Sequence, residues 1–450
     1  MGAALPADRF ADDPDVVRAY ANDQAAWAPS GRASVLVRPA GTDEVRRVVE
    51  ICAEHRVPIV PRGAGTGLSG GANAVDGCVL LSMERMNRVL AVDAAEQYAV
   101  VQPGVVNDDL RAHVAEHGLW YPPDPASSPW STLGGNAATN AGGVCCVKYG
   151  VTRDYVIGME AVVGRGDVVR LGRRTRKGVA GYDLAGLFVG SEGTLGVITE
   201  LTVRLLPLSG TVPHTIVGAF DSAVAAGRAV AAVAESGLTP SALELVDRYC
   251  LRAVDDWKKM GLSDLGDVLL LGRVDTAGEQ GEREADRLRE LFDGAGAAMS
   301  MRSTDADEAE GLFAARRLAY PALERLGPVL TEDVCVPRAL VPDMLARIDA
   351  HASANGVHIA NIAHAGDGNL HPLIIVPAGD DEARVRAQRT FEAILDDAIA
   401  LGGTVTGEHG VGLLKMRGMR DEVGDTVLGM QRAVKNALDP VGIFNPGKVV

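Results

Sequence analysis

No two cysteines in this sequence are spaced C-x-x-C. The six present are Cys52, Cys78, Cys145, Cys146, Cys250 and Cys335, a scatter that excludes iron–sulfur and structural zinc sites of the usual spacing. Adjacent Cys145 and Cys146 are expected to be buried small residues, not a redox pair. No apolar run approaches the ~20 residues that a membrane-spanning helix needs. The start, MGAALPADRFADD, lacks the basic end and apolar core of a secretory signal. Positive charge is in short supply: 44 Lys and Arg face 59 Asp and Glu, for a formal net charge of −15. That balance excludes general binding to nucleic acid or to anionic membranes. It leaves residues 165–177 as one local basic stretch. Together these absences describe a reduced, cytoplasmic globular protein.

What is present begins with glycine, 53 of 450 residues, against about 7% in average usage. The glycines cluster in a few loops, as chain positions close to a ligand do. The length implies two or three domains. From Ser34 onward strand and helix alternate: SVLVRP, a helix from an N-cap at Thr42 to about His55, VPIV, and CVLLS after the glycine-rich 61–77. YAVVQPG and a helix ending near Gly118 follow. The next stretch, 121–150, reads as a long loop of the functional kind, and 155–169 and 195–206 as further strands. After Pro207-Leu208-Ser209-Gly210 the texture changes to longer helices between TIVGAF, SALELVD, DVLLLGRVD, VLTEDVCVP, VHIANIAH and LHPLIIV. This second part is expected to be α+β, an antiparallel sheet with helices on one side.

Gly65-Thr66-Gly67-Leu68-Ser69-Gly70 matches G-x-G-x-x-G, but the context of a dinucleotide fingerprint is missing. That fingerprint opens directly into a helix, whereas here the loop runs on into another strand. What remains is a nest of backbone N–H groups with the Thr66 and Ser69 hydroxyls, suited to a diphosphate. A wide turn needing positive φ would not require so many glycines.

Three such regions follow in order: PRGAGTGLSGG, STLGGNAATNAGG and FVGSEGTLGVITE. Their order and wording resemble the FAD-binding half of the vanillyl-alcohol oxidase and p-cresol methylhydroxylase superfamily. The nearest branch in wording holds glycolate oxidase flavin subunits, D-lactate dehydrogenases and D-2-hydroxyglutarate dehydrogenases. The resemblance implies a two-part FAD-binding domain at 34–210 after an N-terminal segment 1–33. It implies a substrate domain at 211–425 and a final segment, 426–450, that returns to the FAD domain. It places Arg62, Gly63, Gly65, Thr66, Gly67, Leu68 and Ser69 on the pyrophosphate. Thr132, Gly134, Gly135, Thr139, Gly142 and Gly143 fall on the flavin and its diphosphate, and Glu192, Gly196, Val197 and Ile198 near the adenine and ribose. Some relatives tether the flavin through a histidine of the first loop; none lies in 61–77, so FAD is expected to be non-covalent.

Among the nine histidines, three fall in the motifs His364-Ala365-Gly366-Asp367-Gly368-Asn369-Leu370-His371 and Gly407-Glu408-His409-Gly410. On a straight strand His364 and His371 would face opposite ways; the glycine turn breaks that phase and lets them converge. Asp367 reads as a turn former. Glu408 adds a hard oxygen, and two His with one carboxylate leave open coordination positions for catalysis. The plainer possibility is a pair of core histidines bonded to backbone. The resemblance also makes His364, His371 and Glu408 metal ligands, with zinc first and manganese or iron left open. It makes His409 the catalytic base and Arg316 the grip on a substrate carboxylate, Arg317 being the nearest rival.

These parts imply metal-assisted oxidation of a small D-2-hydroxy acid to the 2-keto acid by hydride transfer to flavin. Thr331 stands where the D-2-hydroxyglutarate branch has a lysine, and Leu373 where it has an asparagine, which favours a monocarboxylate such as D-lactate or glycolate. The competing expectations are a D-2-hydroxyglutarate dehydrogenase, an alkyl-dihydroxyacetone-phosphate-synthase-like transferase, a colourless zinc hydrolase and a non-catalytic FAD subunit. With no iron–sulfur or haem motif, electrons must leave for an external acceptor: oxygen, a quinone, a cytochrome, electron-transfer flavoprotein or a partner subunit. Any membrane association is expected to be peripheral, through that acceptor.

Overall fold

The computed structural model describes residues 5–450 except Arg176, Thr304 and Ala378, together with the side chain of Ala306. Residues 1–4 of the leader reading and Arg176 of the basic stretch thus lie outside the described residues. Backbone packing divides the chain into two compact units. The first holds Met1–Gly142, Gly150–Leu208 and Glu408–Val450, the second Gly143–Tyr149 and Ser209–Gly407. These bounds differ from 34–210 and 211–425: the return to the first unit begins at Glu408, and Gly143–Tyr149 belongs to the second unit.

In the first unit, strands Phe10–Ala11, Val35–Val37, Val79–Ser82 and Ile59–Arg62 form one sheet in that order. The last three are parallel. A parallel neighbour needs a crossover of a dozen or more residues, usually a helix. Between Ile59–Arg62 and Val79–Ser82 the glycine loop makes that crossover itself, which explains its length. Helix Thr42–His55 buries Val45, Val48, Val49 and Cys52 at helical spacing. Its N-cap is Gly41, one residue earlier than expected, and the Thr42 hydroxyl instead donates to Glu160 Oε1 at 2.7 Å. A second sheet is antiparallel, in the order Val89–Asp93, Tyr98–Val101, Val197–Arg204, Val156–Val163, Asp167–Gly172. The 121–150 stretch is not structureless: it holds the helix Leu133–Thr139, capped by the Thr132 hydroxyl, which accepts from Gly135 N at 3.4 Å. Near the end of the chain, Ile59 N donates to Ile443 O at 2.7 Å and Asn445 N to Ile59 O at 2.8 Å. The segment thereby continues the first sheet beside Ile59–Arg62.

The second unit is built on an antiparallel sheet in the order Met299–Ser303, His214–Phe220, Val268–Val274, Ala242–Asp247, His358–His364, Asn369–Ile375, Val329–Thr331. VLTEDVCVP is broken rather than continuous, because Glu332 and Asp333 separate Val329–Thr331 from Val334–Cys335. Helices cover both faces, not one. On one face Val217, Val246, Leu271 and Ile362 pack with Leu251 and Val254 of Arg248–Lys258 and Phe313 and Ala319 of Ala306–Glu324. On the other, glycine makes room for helix Gly278–Gly294: a Cβ at Gly218 would lie 2.7 Å from the Phe292 ring, and one at Gly272 2.5 Å from Leu288. One-sided coverage was expected because a strand such as DVLLLGRVD is apolar on both faces, and a sequence pattern alone does not say what covers the second. Cys145 and Cys146, expected to be buried, are half-buried on the Gly143–Tyr149 segment. Among the described residues no helix is long and apolar enough to cross a membrane.

Candidate active site

The three glycine motifs meet in the first unit. Arg62 ends a strand with its guanidinium buried, and its Nη1 donates to Asn22 O at 2.7 Å. Burial lowers the Arg62 pKa from its ordinary value, against the opposing pull of Asp23. Gly65, at φ +77°, lies over this guanidinium: a Cβ there would fall 2.0 Å from Nη2. Thr66, Gly67 and Leu68 continue the loop half-buried, and Ser69 is buried. A Cβ on Gly63 would lie 2.3 Å from Thr132 Oγ1, so the first and second motifs touch. A Cβ on Gly134 would lie 2.5 Å from Pro103, and the Thr139 hydroxyl donates to Gly135 O at 3.3 Å. The third motif is tied to the second by Gly190 N to Ala137 O, 2.9 Å, and Glu192 N to Ala138 O, 2.8 Å. Gly196 crowds Val162 O, while Val197 and Ile198 pair with Val162 and Ala161. Gly142 ends its segment of the first unit and Gly143 opens a segment of the second.

This cradle fits a dinucleotide. Ser131 Oγ and Asn136 Nδ2 are buried in the second motif without a hydrogen-bond partner among the described residues. Each such group costs about 1–3 kcal/mol if nothing meets it, and a polar ligand would.

The final segment of the chain wraps the same loop. Ser69 Oγ donates to Gly410 O at 2.8 Å. Val411 N and Gly412 N donate to the two oxygens of Glu192 at 2.7 and 3.0 Å. Burial pushes Glu192 up to about 7, the two amides opposing it. Lys448 Nζ donates to Gly71 O at 3.0 Å, Asn73 O at 2.5 Å and Asn445 Oδ1 at 2.7 Å, and burial lowers it to about 8. Glu408 and His409 open this segment, with Glu408 Oε1 3.9 Å from His409 Nε2. A Cβ on Gly142 would lie 2.7 Å from Glu408 Oε2.

The second unit brings His364 and His371 together. They lie on adjacent antiparallel strands joined by the turn Ala365–Asp367, with ring centroids 5.2 Å apart and planes perpendicular. Glu244 is directly opposite His364 in the register, so both side chains leave the same face. His364 Nδ1 meets Glu244 Oε1 at 2.8 Å, and Arg316 Nε donates to Glu244 Oε2 at 2.9 Å. Burial raises the Glu244 pKa, but the His364 and Arg316 charges outweigh it and hold the carboxyl below its usual range. Arg316 is buried, whereas Arg317 is exposed and pairs with Glu310 at 2.6 Å. Behind His371, Asp333 Oδ1 lies 3.5 Å from Nδ1. Asp333 also accepts from Asn369 Nδ2 at 2.9 Å, Thr406 Oγ1 at 2.7 Å and, through its carbonyl, Gly407 N at 2.9 Å. Two imidazoles with buried carboxylates behind their Nδ1 atoms fit a divalent metal, since such carboxylates set the tautomer and orientation of ligand histidines.

A glycine-rich dinucleotide cradle on the same chain as a histidine-bearing antiparallel domain suits one class, the FAD-dependent oxidoreductases. Family models agree: the FAD binding domain matches residues 33–172 and the C-terminal domain of FAD linked oxidases matches residues 212–449. The chain belongs to the FAD-linked oxidases. It is 41% identical over 415 residues to glycolate oxidase subunit GlcD of Bacillus subtilis, covering 92% of this chain and 88% of that one. It is 33% identical over 442 residues to D-lactate dehydrogenase of Anaerostipes hadrus, covering 96% and 92%. In fold it is similar to substrate-bound p-cresol methylhydroxylase, at TM-score 0.84 and 19% identity over 99% of this chain and 95% of the other.

Sequence reasoning missed Glu244, Asp333 and Lys448. Glu244 had a signal, a lone carboxylate inside the apolar strand ALELV, and Asp333 had another in the charges that interrupt VLTEDVCVP. Lys448 had none.

Proposed function

We propose that this enzyme oxidises a small 2-hydroxy acid, D-lactate or glycolate, to the 2-keto acid with non-covalent FAD and a divalent metal. The observation that carries the reading is one buried face of the second unit, where Glu244 holds both a histidine of the convergent pair and an arginine. His364, His371 and Glu408 would hold the metal, zinc before manganese or iron. When bound, the flavin supplies a two-electron acceptor and the metal a Lewis acid. Arg316 grips the substrate carboxylate through its planar fork. His409 takes the proton of the C2 hydroxyl. The three glycine motifs hold the cofactor through Arg62, Ser69, Thr132 and their neighbours.

Support for a monocarboxylate comes from Thr331 and Leu373, cross-strand partners that are both buried. Leu373 shares a strand face with His371, two residues away. A second carboxylate would find no cation among these two. The names carried by relatives at 41% and 33% identity, a glycolate oxidase subunit and a D-lactate dehydrogenase, support the same substrate class. We infer an external electron acceptor and a cytoplasmic location for the enzyme.

The test is to add D-lactate, L-lactate, glycolate and D-2-hydroxyglutarate in turn to the purified protein without oxygen. D-lactate or glycolate is expected to bleach the flavin band. Faster bleaching by D-2-hydroxyglutarate would sink the monocarboxylate reading. A yellow protein that none of them bleaches would return the choice to a transferase of the alkyl-dihydroxyacetone-phosphate-synthase type.

A further inference from the structure

The geometry points to Glu244 as a shared positioning residue: one oxygen orients His364, the other orients Arg316, so that a metal ligand and a carboxylate-binding group are aligned by one side chain. This rests on the proposed roles of His364 and Arg316. Glu244 is fully buried. Strand register places it opposite His364, and helix Ala306–Glu324 brings Arg316 to its other oxygen. A carboxylate accepts only. His364 must therefore present Nδ1–H to it at 2.8 Å, which puts the lone pair on Nε2, the nitrogen a metal would use. Arg316 is engaged through Nε at 2.9 Å. That contact fixes the guanidinium plane and spends neither terminal nitrogen, which are the two that a bidentate carboxylate takes. Asp333 stands differently: an oxygen lies 3.5 Å from His371 Nδ1, and it accepts from Asn369, Thr406 and Gly407.

One consequence distinguishes positioning from mere packing. A glutamine at 244 has a single carbonyl oxygen and can accept from only one of the two donors at full strength, while its amide faces the other with a donor. Loss of Glu244 must therefore weaken metal and substrate together.

The experiment uses the full-length FAD-loaded protein and its E244Q variant. Zinc affinity, read by competition with a chelator, is expected to fall about tenfold or more in E244Q. KM for D-lactate should rise severalfold and kcat should fall, and E244D, which keeps the charge, should recover part of both. A folded E244Q with unchanged zinc affinity and unchanged KM overturns the proposal, as does a loss confined to the thermal midpoint. If the wild type takes up no zinc, manganese or iron, the metal reading itself fails and takes this proposal with it. If the wild type binds the metal and E244Q binds it equally, only the role of Glu244 fails. Should E244Q not fold, 15N-histidine NMR of the metal-free wild type decides, with H364N used for assignment. A proton on Nδ1 of His364 is expected, and one on Nε2 overturns the proposal.

Discussion

Glu192 is a carboxylic acid in surroundings that suit a neutral group. It is buried, receives two backbone amides from the Val411–Gly412 turn, and burial lifts it from 4.5 to about 7. A folded-state pKa above the unfolded one means the folded protein binds the extra proton between those values. The stability this contributes is complete below pH 4.5 and is lost as pH rises through about 7. The size is on the order of 3 kcal/mol. Lys448, lowered from 10.5 to about 8, runs the other way: its contribution is present above 10.5 and lost as pH falls through 8. Glu192→Gln keeps one oxygen to accept from the Val411 amide and removes the titration. Its thermal midpoint, scanned from pH 4.5 to 7.5, should gain on the wild type as pH rises; two parallel curves would refute this. Neither pKa was legible in the sequence. Glu192 reads there as one residue of FVGSEGTLG, and its partners lie 219 and 220 residues further on.

At the scale of an element, helix Ala223–Glu235 shows two ordinary rules in conflict. Gly227 in a helix interior costs about 1 kcal/mol relative to alanine, so its replacement should stabilise. The helix, however, packs closely on Val341–Asn355: a Cβ on Gly227 would lie 3.0 Å from Pro342 Cα and 3.1 Å from Leu345 Cδ1. Backbone cannot rotate away as a side-chain tip can, and overpacking costs about 1–3 kcal/mol. The close approach wins, and Gly227→Ala should lose about 1 kcal/mol, seen as a lower urea midpoint. An unchanged or higher midpoint would show that the two helices can part. Elements themselves were largely legible, because helical and alternating periods are local. The exceptions were local conflicts with a distant cause. The helix Leu133–Thr139 was hidden by Gly134, Gly135 and Asn136, poor helix formers. VLTEDVCVP was broken where Asp333 turns to Asn369 and Thr406.

For the whole molecule, the glycine motifs were legible because each is a contiguous string whose chemistry is its own backbone. Glu244 was not recognised, since its meaning lies in His364 and Arg316, 120 and 72 residues away. The chain crosses between its two units repeatedly, at 142/143, 149/150, 208/209 and 407/408. A chain ending at Leu208 therefore contains the three glycine motifs but lacks the Glu408–Val450 segment that completes the first unit. Such a fragment should retain no FAD on size-exclusion chromatography followed by flavin absorbance. A yellow, monomeric fragment would show instead that the final segment is dispensable. The same connectivity sets a clock during synthesis. Asn445 and Lys448 grip the carbonyl of Gly71 from 374 and 377 residues downstream. A ribosome adding about 5–20 residues per second needs roughly 20–75 s to cover that distance. For all that time the nascent loop waits without its clasp, and on the proposed site this would make capture of the cofactor a late event in the life of each new chain.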